Sequence, residues 1–462
     1  MAQTTPSTTV SLEAGAAAKP GEHRHGVFDA YHPPAPELID DCVHCGFCLP
    51  TCPTYVLWGE EMDSPRGRIY LMNIGNQGQA QLNETYIQHF DRCLGCMACL
   101  TACPSGVQYD KLIEATRSQI ERNYPRSLPD KLFRRMLFEL FPHPNRLRLL
   151  ALPLWLYQTS GVRAVVQRSG ILNVLPARIK AMEALLPPVS VRALRNAVPR
   201  RTPAQGRRRR RVGLLLGCVQ RVFFGDINAA TARVLAAEGC DVVAPPEQTC
   251  CGALMVHAGQ EADALALARR TIDLWEPLDI DTLVINAAGC GSTLKEYAYL
   301  LRDDPAYAER ARVFAAKCKD ISEILAELEP QAPRHAVPLT VAYHDACHLQ
   351  HAQGVRAEPR KVLGAIPGIE IREIPEAAIC CGSAGIYNLV EPKPAQELAD
   401  RKVQHVLATG ADILVTSNPG CLLQISNGLQ RAGHAMPVVH PIELVDASIR
   451  GELPAPLKRG KH

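Results

Sequence analysis

Two short cysteine runs near the N-terminus constrain local structure more tightly than anything else in this 462-residue chain. The first reads Cys42-Val-His-Cys45-Gly-Phe-Cys48-Leu-Pro-Thr-Cys52-Pro53, and the second Cys93-Leu-Gly-Cys96-Met-Ala-Cys99-Leu-Thr-Ala-Cys103-Pro104. Both follow C-x2-C-x2-C-x3-C-P, the spacing that holds cubane [4Fe–4S] clusters. Three thiolates on a tight loop reach three irons of one cube. The fourth lies beyond the turn, opens a helix and faces the neighbouring cube. The spacing therefore predicts Cys42, Cys45, Cys48 and Cys103 around one cluster, and Cys52, Cys93, Cys96 and Cys99 around a second. Pro53 and Pro104 suit the first turn of a following helix, where a missing N–H costs little. Zinc or disulfides are the alternative, but zinc favours two separated cysteine pairs over one compact run.

Composition narrows the class. Hydrophobic residues make up 47% of the chain, ample for buried cores, and the length predicts more than one domain. A net charge of +3 and only 5% aromatic residues give no case for nucleic-acid binding. Eighteen cysteines would suit a secreted disulfide protein, but these spacings point to cluster thiolates in a reducing, cytoplasmic compartment. Met1 to Pro20 is rich in Ala, Thr and Ser, with no basic start and no apolar core, so no signal peptide is expected. A disordered tail is expected over 1–35. No run of eighteen apolar residues occurs, so no transmembrane helix is expected.

The two-cluster module is expected over 36–110. Between its motifs, Ser64-Pro65 reads as a helix start with Arg66 and Arg68 in the first turn. Those arginines either sit beside the anionic clusters and raise their potential, or form a solvated turn. Residues 111–211 read as a helical connector broken at prolines. Its most apolar stretch, Leu149 to Tyr157, predicts buried helix packing, with contact to a partner subunit or membrane surface as the sharper alternative. Arg207 to Arg211 reads as a solvated linker, and contact with anionic lipid or an acidic partner is the alternative.

The C-terminal half is an internal repeat. One set is Cys218, the pair Cys250-Cys251 followed by Gly252, and Cys290. The other is Cys347, the pair Cys380-Cys381 followed by Gly382, and Cys421. Matching positions lie 129 to 131 residues apart, which marks a duplicated unit. Predicted strands Val212–Leu216, Leu283–Asn286, Leu339–Tyr343 and Ile413–Thr416 alternate with helices such as Glu261–Trp275 and Ala395–Leu407. That alternation predicts two α/β domains with parallel strands, over 212–330 and 331–462. The fold class is thus α+β / α/β: a mainly helical two-cluster module, a helical linker and the duplicated α/β domains. Ligands in such sheets gather at the carboxyl ends of the strands, so each cysteine set should converge on one crevice. Gly252 and Gly382 free the backbone for this. A third cluster, zinc, or a buried structural thiol set are the three readings. His344, His348 and His351 could contribute in the second copy only, because Gln220 and Arg221 follow Cys218 in the first. Cys240 and Cys318 match nothing and read as ordinary core thiols.

Across about residues 36 to 446 the chain resembles the iron–sulfur subunit family of glycolate oxidase (glycolate dehydrogenase), a two-cluster module followed by two cysteine-rich CCG domains. The resemblance rests on Cys42-Val-His-Cys-Gly-Phe-Cys48, Thr51-Cys-Pro-Thr-Tyr55, Ser64-Pro-Arg-Gly-Arg-Ile-Tyr70, Cys103-Pro-Ser-Gly-Val107, Leu349-Gln-His-Ala-Gln353, Cys380-Cys-Gly-Ser-Ala-Gly385 and His440-Pro-Ile-Glu-Leu-Val445. It implies that FAD-binding subunits on separate chains oxidise glycolate to glyoxylate. This subunit would then relay electrons through two [4Fe–4S] clusters toward a quinone-linked acceptor, peripheral at the inner face of the cytoplasmic membrane. No residue here is expected to be catalytic, and no G-x-G-x-x-G fingerprint is present. The same relay role for lactate or glycerol 3-phosphate is the nearest alternative. A thiol–disulfide enzyme like heterodisulfide reductase is a more distant one. The CCG domains of those enzymes end in C-x2-C, whereas Thr293 and Gln424 stand three residues beyond Cys290 and Cys421. A five-cysteine site is therefore excluded in both copies.

Overall fold

The structure is a computed structural model that describes residues 27–189 and 198–458. Most of the tail expected over 1–35 lies outside the described residues, but 27–35 is packed rather than loose. Phe28 and Asp29 are buried. The Asp29 carboxylate accepts hydrogen bonds from Gln119 Nε2 (2.9 Å), Arg122 Nε (3.0 Å) and Asn123 Nδ2 (3.0 Å). Burial opposes its charge, yet the bonds from Arg122 and Asn123 outweigh it and hold the carboxyl at about 2.

The module itself is a set of short helices: Pro36–Asp40, Pro53–Trp58, Pro65–Asn76, Glu84–Asp91, Ala98–Ala102 and Tyr109–Asn123. Three of them begin with proline at the first turn. Ser64 caps Pro65–Asn76 by accepting from Gly67 N at 3.0 Å, as the Ser-Pro pair predicts. Leu112, Ile113 and Ile120 of Tyr109–Asn123 share a core with Ile69, Met72 and Phe90. Helix Tyr109–Asn123, just past the expected module, is thus packed onto it.

The connector consists of Leu128–Leu140, Pro144–Thr159, Val162–Arg168 and Ala177–Ala184. Of the expected buried stretch, Ala151 alone is buried, with Leu147 one turn earlier; both pack near Val222. Leu149, Leu150, Leu152 and Leu156 are exposed, Leu149 to 78%. Among the described residues, no helix is long and apolar enough to cross a membrane.

Two sheets follow. In the first, β2 (Arg210–Leu214) pairs in parallel with β3 (Cys240–Val243) and β4 (Thr282–Ile285). β5 (Cys318–Asp320) extends it beyond β4 in parallel, and β1 (Arg201–Thr202) adds an antiparallel edge on β3. In the second, β6 (Leu339–His344) lies between β7 (Ile369–Glu373) and β8 (Ile413–Thr416), with β9 (Val438–Val439) outside β8, all parallel. The orders β3-β2-β4-β5 and β7-β6-β8-β9 are the same topology twice. The arginine run is only partly linker. Arg210 and Arg211 belong to β2, and the Arg209 guanidinium donates to the Leu328 and Glu329 carbonyls. The copies expected as separate domains share one core, in which Val212, Leu214 and Val284 meet Val341, Tyr343, Ile413 and Val415. Residues on a sheet covered on both faces must be apolar on both, so the facing copies bury each other.

Candidate functional site

The first thiol group lines one surface pocket. Cys42, Cys45, Cys48 and Cys103 border it together with Pro65, Ile69 and Val107. Cys45 is exposed and the other three are half-buried, whereas Cys52, Cys93, Cys96 and Cys99 are all buried. The two cysteine loops turn through left-handed residues, His44 and Gly46 in one and Gly95 and Met97 in the other. At Gly95 a side chain would also collide, since an added Cβ would lie 2.9 Å from the His257 ring and 3.1 Å from Arg117 Nη1. Cys52 caps helix Pro53–Trp58, as the motif predicts. Cys103 differs, because it ends helix Ala98–Ala102 and Pro104 enters a turn. The extended backbone that Cys103 adopts before proline is incompatible with continuing the helix, and Gly106 in the left-handed region completes the turn.

Arg66 and Arg68 divide the two expectations between them. Arg66 stays near the surface, bonded to Glu61 (2.6 Å) and the His44 carbonyl (3.0 Å). Arg68 is buried, with Nη1 4.0 Å from Cys52 Sγ and Nη2 donating to Thr54 Oγ1 at 3.1 Å. Its ion-pair partner is Asp63, fully buried at 3.4 Å, which also takes bonds from His89 (2.9 Å) and Arg92 (2.8 Å). Burial pushes the Cys93 thiol up, but Arg68 and then Arg117 more than reverse this and lower it. The two cations thus work toward the thiolate at Cys93, the form that ligates iron. Cys96 has no such cation: burial and then the neighbouring Cys347 raise it well above the ordinary range.

In the repeats, each cysteine sits just beyond the carboxyl end of a strand. Cys218 follows β2, Cys250 and Cys251 follow β3, and Cys290 lies in helix Ala288–Lys295 after β4. Cys347, Cys380, Cys381 and Cys421 hold the same places after β6, β7 and β8. Gly252 and Gly382 both have positive φ, as the pair-plus-glycine pattern predicts. Gly382 is also walled in, because an added Cβ would come within 2.4 Å of the Ala395 carbonyl. In the first copy, Arg221 is a buried cation whose charge is pushed down to about 10 by burial and then by Arg148. Gln220 bonds Asn286 Oδ1 at 3.0 Å. In the second, Cys347 Sγ lies 3.9 Å from Cys380 Sγ. Cys240 and Cys318 are buried in β3 and β5, and Cys318 shares an apolar cluster with Cys218, Cys250 and Cys251.

The three histidines of the second copy part ways. His344 faces Cys381 and Cys421. His348 stands between Cys347 Sγ (3.5 Å) and His257 Nε2 (2.7 Å), and burial holds it neutral, down to about 4. His351 accepts or donates at Thr101 Oγ1 (2.7 Å), inside the second cysteine motif. The second copy is thus pressed against the buried thiol group. Leu94, Cys96 and Ala98 pack in one apolar cluster with Cys347, Ile379, Cys380 and Tyr387. Neither His257 nor Asp63 stood out in the sequence; each gains its place from partners far along the chain.

Comparison with known proteins agrees with this layout. Residues 38–107 match the 4Fe-4S dicluster domain, and residues 212–295 and 341–426 match the cysteine-rich domain CCG. Residues 129–186 match the linker region of the glycolate oxidase iron-sulfur subunit. A probable glycolate oxidase iron-sulfur subunit of Bacillus subtilis is 44% identical over 401 residues, 86% of this chain and 90% of the relative. The glycolate oxidase iron-sulfur subunit of Escherichia coli is 37% identical over 90% of this chain and 96% of its own. A lactate utilization protein A of an Exiguobacterium species is 29% identical over only 52% of this chain, though that is 98% of the relative. With the module, connector and both repeats accounted for along nearly the whole length, the chain belongs to the family of glycolate oxidase iron–sulfur subunits.

Proposed function

We propose that this chain is the electron-transfer subunit of a glycolate-oxidising complex, receiving electrons from FAD-binding subunits and passing them toward a quinone-linked acceptor. Cys42, Cys45, Cys48 and Cys103 would hold one [4Fe–4S] cluster, and Cys52, Cys93, Cys96 and Cys99 the other. Bound there, each cluster supplies one-electron chemistry. The thiol spacing supports cubes rather than single ions: among the described residues, no three of these eight sulfurs lie within 4.8 Å of one another. The surface group, with Cys45 exposed between Val43 and Phe47, suits exchange with a partner. The buried group is kept from water, with Arg68 and Arg117 supplying positive charge. The observation that carries the reading is this pairing of one accessible and one buried four-thiol group on adjoining loops.

Glycolate is favoured over lactate because the relatives named for glycolate span this whole architecture, whereas the lactate relative corresponds to half of it. The connector supports a peripheral position at the inner face of the cytoplasmic membrane. Leu149, Leu152, Leu156, Val165 and Val174 are exposed along it, apolar surface suited to a lipid interface, while Arg146 and Arg163 are paired with Glu139 and Glu183. The test is anaerobic reduction of the assembled complex by glycolate, lactate or glycerol 3-phosphate, read by EPR. Signals from reduced clusters with glycolate are expected. Reduction by lactate alone would reassign the substrate, and intact clusters that no donor reduces would end the relay reading.

A further inference from the structure

His344 closes β6 and is buried, and neither of its ring nitrogens has a hydrogen-bond partner. A buried polar atom left unpaired costs about 1–3 kcal/mol, so such a ring implies a partner of another kind. Its surroundings name that partner. One ring nitrogen of His344, Cys381 Sγ and Cys421 Sγ all lie within 4.8 Å of one another. Cys381 also contacts Cys380, whose sulfur is 3.9 Å from Cys347 Sγ. A tetrahedral zinc ion, with Zn–S of about 2.3 Å and Zn–N of about 2.0–2.1 Å, sets neighbouring ligand atoms about 3.5–3.8 Å apart. The C-terminal set is gathered on that scale. The eight N-terminal thiols, spread for separate irons, are not.

We propose that the second repeat holds one divalent ion of the zinc class, ligated by His344, Cys381 and Cys421, with the fourth ligand, a third thiolate, from the Cys347–Cys380 pair. Three thiolates and a neutral imidazole around a divalent ion leave one net negative charge. Lys402 supplies the balance: it is buried, its ammonium is held by the Glu376 carbonyl at 2.8 Å, and its charge acts on Cys381, Cys380 and Cys421. Thr416 lies opposite His344 in the β6–β8 register, and its buried hydroxyl is likewise unpartnered. The first repeat does not reproduce the site. The 129-residue offset between Cys218 and Cys347 puts apolar Leu215 where the second copy has His344. The duplication has therefore diverged in metal chemistry as well as in sequence.

The experiment uses the full chain, purified anaerobically, with zinc and iron measured together and the zinc K-edge absorption recorded. The native chain is expected to show sulfur at about 2.3 Å and a histidine nitrogen at about 2.0–2.1 Å around zinc. His344→Leu is expected to carry one zinc fewer per chain with iron unchanged, and His344→Cys to regain it. Equal zinc in His344→Leu and the native chain would overturn the proposal. So would a zinc shell without nitrogen, or extra iron in the native chain that His344→Leu loses. If His344→Leu fails to fold, the absorption edge of the native chain decides alone. Iron in the N-terminal groups is read in the same sample, so failure here is distinct from failure of the relay.

Discussion

Arg68 offers the sharpest test of how the chain sets the electron affinity of its buried thiol group. Its guanidinium is 4.0 Å from Cys52 Sγ, and a cluster held by that sulfur would spread its charge further, to about 6–7 Å. At an effective dielectric of about 20, a unit charge at that range interacts by roughly 2–3 kcal/mol. For a one-electron couple 59 mV corresponds to about 1.4 kcal/mol, which makes this about 100 mV. Asp63 already offsets part of the charge and would remain paired with His89 and Arg92. Arg68→Met is therefore expected to lower one midpoint potential by about 50–100 mV, because reduction adds negative charge that the cation stabilises. Arg68→Lys keeps the charge and is expected to stay close to the native value. The assay is an EPR-monitored redox titration of the full chain, with iron content checked for each variant. An unchanged midpoint in Arg68→Met at full iron content would refute the argument. An equal drop in Arg68→Lys would shift the cause from charge to packing.

Three further outcomes are expected. Cys48→Ala should lose about half the iron, and in the assembled complex stop quinone reduction while substrate still reduces the flavin; normal quinone reduction would contradict the relay. Burial raises the Glu443 carboxyl from its ordinary 4.5 to about 7. The folded chain then keeps a proton that the unfolded chain has released, so this group's contribution falls as pH rises from 4.5 through 7. Glu443→Gln removes that penalty, about 3 kcal/mol when fully developed, so its melting temperature should gain on the native chain between pH 5 and pH 8. A gap that does not change with pH would refute this. Leu149→Asp combined with Val174→Asp should weaken flotation with anionic vesicles at least tenfold, since each buried apolar side chain contributes about 1.5–3 kcal/mol. Undiminished flotation would place the lipid contact elsewhere.

Much of the scaffold was legible because parallel strands covered on both faces read as unbroken apolar runs. The strand Ile413–Thr416 and the helix Glu261–Trp275 coincide with their predicted bounds. β7 escaped notice because Ile369–Glu373 is half charged and lies at a sheet edge. The thiol groups were legible because their spacing is local, and so was the glycine after each cysteine pair. Partners at long range were not. Nothing in the sequence marked Asp63 as a hub for Arg68, His89 and Arg92, and Lys402 looked like any helix lysine. The motif His440-Pro-Ile-Glu carried only a likeness. In the structure it is a capping box, in which the His440 ring accepts from Ile442 N and the Glu443 carboxylate from His440 N.

The contacts between the N-terminal module and the repeats bear on kinetics. Arg122 pairs with Glu261 at 2.6 Å, Lys111 with Glu296 at 3.4 Å, and Arg117 donates to the His257 carbonyl at 2.8 Å. Thr101 and His351 add a fourth tie beside the buried cysteines. Carrier domains on flexible tethers must search for their docking site before each transfer, and their turnover slows in thick solvent. A module clamped at four points makes no such search. Transfer within this chain should therefore be indifferent to glycerol or sucrose, and any drag that solvent viscosity places on turnover belongs to the encounter with other molecules.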